Sequence, residues 1–132
     1  MKKTLFTIVS WTPAIAYMAL IFWLSSSPPP PPARAVPVYF DIKIIHIIEY
    51  GVLNLLVFLA LDRTADIPFV WKMIYSVAIT ILYGLTDELH QVFVPGRSGK
   101  LIDIAANLIG CIIAQTGTAL FRVKSSIGSV DI

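Results

Sequence analysis

The chain has 132 residues, 57% of them hydrophobic and 14% charged, with a formal net charge of +2 and a mean hydropathy of +0.80. Ordinary soluble domains hold roughly 45–50% apolar and about 25% charged residues, so this balance excludes a water-soluble fold and gives the small positive charge no bearing on nucleic acid. The expected class is an all-α integral membrane protein: a single domain over residues 1–132, with four transmembrane helices in a bundle.

A helix that crosses a bilayer needs about 20 mostly apolar residues, and four stretches meet that length, at about 5–24, 44–61, 71–93 and 101–121. The first, Leu5 to Leu24, follows Lys2 and Lys3 and is broken only by Thr, Ser and one Pro. Ala33-Arg34-Ala35 resembles a signal-peptide cleavage site, but the apolar run exceeds the usual 7 to 15 residues and a proline tract separates the two. A retained helix is therefore expected. The tract SSSPPPPPARAVP lies in a proline-rich loop, residues 25–41, and predicts a stiff polyproline II spacer, with a proline-rich ligand for a partner domain as the alternative.

The second stretch, Ile44 to Leu61, is apolar except for His46, Glu49, Tyr50 and Asn54. His46, Tyr50 and Asn54 recur every four residues, with Glu49 three after His46, so the polar groups share one side of the helix.

The third begins near Trp71 and reaches spanning length only if TDELHQVF, residues 86–93, stays helical. Ser76, Thr80 and Gly84 form a small-residue stripe of the kind that lets helices approach closely. Asp87, Glu88 and Gln91 continue it at i+3, i+4 and i+7 from Gly84, which turns them into the bundle. His90 is i+3 from Asp87 but i+2 from Glu88, and points partly away from that face.

The connection VPGRSGK, residues 94–100, holds a Pro95-Gly96 turn signal. Its Arg97 and Lys100 return positive charge to the acids, and Arg97 offers a planar fork for a carboxylate (Asp87, Glu88 or Asp103) or for a phosphate. The fourth stretch, Leu101 to Phe121, carries Asp103, Asn107 and Gln115 beside a second small-residue stripe, Ala106, Gly110 and Ala114. Gly84, Gly110 and Gln115 are expected to serve packing, and the single Cys111 implies no disulfide framework.

With four spans both termini share a side. Lys2, Lys3, Arg63, Lys72, Arg122 and Lys124 fall on it, and Arg34, Lys43, Arg97 and Lys100 fall opposite, which favours cytoplasmic termini in the inner membrane and an extracytoplasmic proline-rich loop. His46 and Glu49, TDELHQ, and Asp103 and Asn107 then meet at one depth near the outer leaflet. An ionised side chain at mid-helix costs about 2.5–3.5 kcal/mol on insertion scales, and such groups are usually paired or functional. Several at one level predict a functional pocket.

KxxHxxEYG at Lys43 to Gly51, followed by YGLTDELHQVFVPGRSGKLIDIAANLIG at Tyr83 to Gly110, resembles the VanZ family of small bacterial membrane proteins. The resemblance implies ligand-binding roles for Lys43, His46, Glu49, Tyr50, Asp87, Glu88, Gln91, Arg97, Asp103 and Asn107. The family often has Asp directly before the lysine; here Ile42 intervenes, and Asp41 is assigned no role. The family is named for teicoplanin resistance, which implies an antibiotic-resistance phenotype at the cell envelope rather than a reaction.

Two functions of different class follow. In the first, the pocket binds an envelope lipid headgroup or an amphiphile such as a lipoglycopeptide, with Arg97 and Lys43 facing phosphate. In the second, the chain is an intramembrane enzyme on a lipid-linked substrate, with Glu88 or Asp87 as general base, His46 as its partner and Arg97 stabilising phosphate charge. A divalent metal held by His46, Glu88, His90 and Asp103 is a variant of the second. No spacing is as specific as HExxH, so no metal is assigned and the cofactor stays open. Lipid or ion transport is a third reading, and four helices would have to form a homo-oligomer to build a pathway.

Overall fold

The computed structural model describes residues 2–27 and 38–128. It contains α1 (Lys2–Ser25), α2 (Val38–Thr64), α3 (Phe69–Gln91) and α4 (Leu101–Gly128), with no strand among the described residues. All four are long and apolar enough to cross a membrane, and the chain is a multi-pass membrane protein.

The helices outrun the apolar spans from which they were expected. α1 starts at Lys2 rather than Leu5, and α4 runs to Gly128 rather than Phe121. α2 starts at Val38, inside the expected loop 25–41. Nothing in VYFDIK interrupts a helix, and a helix does not end where its hydrophobic stretch meets the interface; the apolar span within α2 is still Lys43–Thr64. The prolines of the tract expected to form a polyproline II spacer fall within residues 28–37, outside those described. α3 ends at Gln91 rather than residue 93, where its last bonds tighten to i→i+3, from Phe93 N–H to His90 and from Val94 N–H to Gln91.

α2 is central, packing on α1, α3 and most extensively α4, whereas α1 and α4 do not pack on each other among the described residues. Gly51 and Gly110 make the α2–α4 approach possible. A Cβ on Gly110 would strike the Ile47 carbonyl oxygen and lie 2.9 Å from the Gly51 nitrogen, both backbone atoms that cannot step aside. On the other side of α2, Tyr50, Leu53 and Val57 pack with Ala14 and Ile21 of α1. Tyr83 of α3 ties in by donating its hydroxyl to the Met18 carbonyl at 2.5 Å. The first segment is thus a packed member of the bundle.

Burial is inverted relative to a soluble bundle. Side chains such as Phe6, Trp23, Phe93 and Phe121 are exposed, while Ser, Asn, Gln, His, Asp and Glu fill much of the interior. In lipid the outer face needs no cover, and helices associate through close packing and interhelical hydrogen bonds. One end of the bundle gathers the start of α1 with the end of α2, joined by a Trp11 Nε1 to Thr64 Oγ1 hydrogen bond of 3.2 Å. At that end Lys72 also pairs with Asp62 at 2.9 Å. The opposite end gathers the ends of α1 and α3 with the starts of α2 and α4, and there the ionisable residues converge.

Candidate functional site

The side chains buried on α3 are Ser76, Thr80, Gly84, Asp87, Glu88 and Gln91, the stripe predicted from helical spacing. Asp87 and Glu88 are neighbours on one helix, so about 100° separates them around its axis, and they reach different partners.

Glu88 turns towards α2 and α4. One ligand atom each of His46, Glu88 and Asp103 lies within 4.8 Å of the others, and all three residues are buried. Glu88 Oε2 accepts the backbone N–H of Lys100 at 2.9 Å, immediately before the first turn of α4. The partial positive charge of a helix start favours a carboxylate there, which explains how a buried acid is tolerated. Asp103 belongs to the same first turn.

Asn107 sits one turn deeper, fully buried, with its Oδ1 3.1 Å from His46 Nδ1. An amide oxygen only accepts, so Nδ1 carries the proton in this pair, and the neutral tautomer compatible with it has its lone pair on Nε2. Two buried atoms in this group have no hydrogen-bond partner: Glu88 Oε1 and Asn107 Nδ2. Gly84 makes the room for that amide, since a Cβ there would stand 2.8 Å from Asn107 Nδ2 and 3.0 Å from the Tyr50 ring.

Asp87 turns the other way. Ser25 Oγ of α1 donates to its Oδ1 at 2.6 Å, and Gln91 Nε2 to its Oδ2 at 2.9 Å, with the fully buried Tyr50 hydroxyl at 3.5 Å from the same oxygen. The Tyr50 ring stacks beside His46, with centroids 6.2 Å apart, and so bridges the two halves of the site. Glu49 and Lys43 are half-buried at its edge.

Two expectations are revised, and one contribution is new. Arg97 does not reach a carboxylate: its Nε donates to the Ser27 carbonyl at 2.8 Å and its Nη2 to the Leu24 carbonyl at 3.1 Å. It supplies donors to carbonyls at and just beyond the end of α1, where the helical ladder runs out. The turn that aims it has Pro95 followed by Gly96 at φ 81°, closed by Arg97 N–H to the Val94 carbonyl at 3.1 Å, the residue order of a type II turn. His90 does not join His46, Glu88 and Asp103; it shares a 3.0 Å hydrogen bond with Ser26 and lies against Phe22. The α1 contribution was not read from the sequence: Ser25 donates to Asp87 and Ser26 bonds to His90. The signal was the SSS run at the end of the first span, at the depth of the acids, which reads equally well as the start of the proline-rich linker.

Gln115 serves packing as expected. It forms a separate neutral layer, its Nε2 donating to Asn54 Oδ1 at 2.6 Å and to Ser76 Oγ at 2.7 Å, while Asn54 Nδ2 donates to Thr80 at 3.4 Å.

A buried imidazole facing two carboxylates, with unsatisfied donor and acceptor atoms, can hold a cation, exchange protons or receive a polar headgroup. No curated protein and no solved structure matches the chain. A family model described as VanZ/LLP1 matches residues 10–122, a span that takes in every residue of the site, and the chain belongs to that family.

Proposed function

We propose that the pocket binds the headgroup of an envelope lipid or a similar amphiphile in the outer leaflet of the cytoplasmic membrane, with both termini in the cytoplasm. The observation that carries this reading is the meeting of His46, Glu88 and Asp103 from three helices, beside the unpartnered Glu88 Oε1 and Asn107 Nδ2. Buried polar atoms are normally paired, and atoms left open inside a bundle are where a ligand would supply the missing partner. The excess of Lys and Arg on the terminal side favours the orientation. The family's name extends the reading to lipoglycopeptide resistance, through a lipid whose presentation changes the target of such antibiotics.

His46 beside two acids also favours a second reading, general acid–base chemistry on a lipid-linked substrate. Lipid profiles of cells carrying the intact protein, Glu88→Gln or no protein separate the two. A lipid species that changes with the intact protein and not with Glu88→Gln supports chemistry or transport. Identical profiles, with lipid retained through purification by the intact protein alone, support binding. Identical profiles with no retained lipid overturn both.

A further inference from the structure

We infer that His46, Glu88 and Asp103 form a binding site for a divalent first-row metal ion, of the class of Mn²⁺ or Zn²⁺. One imidazole nitrogen and two carboxylate oxygens are an intermediate donor set. The imidazole suits Zn²⁺ and its neighbours, and the carboxylates suit Mn²⁺. The three atoms lie within 4.8 Å of one another. Bonds of about 2.0–2.2 Å place donors around a metal roughly 3–4 Å apart, so the side chains need to close by no more than about 2 Å.

Three further observations point to a ligand rather than to a self-contained acid pair. Glu88 is 7% exposed, and its Oε1 has no partner while Oε2 is held by the Lys100 N–H, so one oxygen is fixed and the other is left open. Asn107 Oδ1 takes the Nδ1 proton of His46, the second partner that orients a metal-bound imidazole and leaves Nε2 as the donor. Arg97 is committed to the Leu24 and Ser27 carbonyls and bonds to neither Glu88 nor Asp103. A divalent cation would balance both carboxylates in a medium where uncompensated charge is costly. Three protein donors leave coordination positions open.

Resting on the headgroup reading, those open positions explain how a site built on two carboxylates, Glu88 and Asp103, accepts an anionic group: the metal faces the phosphate oxygens.

The chain has two histidines, His46 and His90, and they make the test specific. Histidine-labelled protein in lipid-free detergent is stripped with chelator and titrated with Zn²⁺, and the imidazole nitrogen signals are followed. His90→Ala, outside the cluster, identifies the His46 signals. Expected is a shift of the His46 ring alone, complete at one equivalent, with Mn²⁺ broadening the same signals. Asp103→Asn and Glu88→Gln should weaken binding at least tenfold. No change at His46, or equal changes at both rings, overturns the inference whether or not those two variants fold. Because envelope lipid is absent, a failure here leaves the headgroup reading standing, and loss of lipid retention leaves the metal site standing.

Discussion

Two buried polar layers lie along the same bundle, and they differ in kind. The inner layer joins Asn54, Ser76, Thr80 and Gln115, all neutral, through three interhelical hydrogen bonds, with Gln115 Oε1 the one open atom. The layer at the loop end joins His46, Glu88, Asp103 and Asn107, three of them ionisable, and leaves open a carboxylate oxygen and an amide nitrogen. Burial is similar, so burial does not separate glue from function. Neutral amides and hydroxyls hold helices together at low risk, whereas carboxylates in the same position cost more than packing requires.

The sharpest way to break both layers at once is Gly110→Val, since Gly110 lies between Asn107 and Gln115 on α4. Its side chain would meet Ile47 and Gly51 backbone, and overpacking of about 3 kcal/mol or more should appear as a large fall in the thermal unfolding midpoint in detergent. Glu88→Gln should separate the layers, with lipid retention falling about tenfold or more, as for loss of one hydrogen bond to a charged group, and little change in unfolding. An equal loss of folded protein would make the ionisable layer structural as well.

A smaller effect is expected from Arg97→Ala, which deletes two bonds to the end of α1. A loss of about 1–2 kcal/mol should show as faster amide exchange in residues 22–27, with the inner layer unchanged. The smallest belongs to Gln115→Leu. Interhelical hydrogen bonds in membranes average about 0.6 kcal/mol and Gln115 makes two, so stability should move by only about 1 kcal/mol and lipid retention not at all. A tenfold loss of retention here would erase the distinction.

Periodicity revealed which face each helix turns inward. The stripe from Ser76 to Gln91 and the inward placement of His46, Asp103 and Asn107 were legible from spacing alone. Periodicity does not name partners. Arg97 was matched to a carboxylate or a phosphate because side-chain charges can be read from a sequence, but the acceptors it takes are backbone carbonyls at a helix end, which no residue letter encodes. His90 illustrates the same limit in milder form: its spacing from Glu88 showed that it leaned away, while Ser26 as its partner depended on where α1 ends. The α2 boundary was misplaced because hydropathy marks the edge of the apolar span and not the last helical hydrogen bond.

The ionisable layer also sets a schedule for biosynthesis. His46 and Asn107 are 61 residues apart in the chain, and Ser25 and Asp87 are 62 apart. At about 5–20 residues per second, each first partner waits roughly 3–12 s for its second to be synthesised. During that interval α2 presents His46 and Glu49 without the α4 residues that complete the site, and α3 must bring in two adjacent acids before Asn107 exists. Lateral release of single helices into lipid would expose those groups to acyl chains, so the fold favours holding α2 and α3 in the aqueous insertion machinery until α4 emerges.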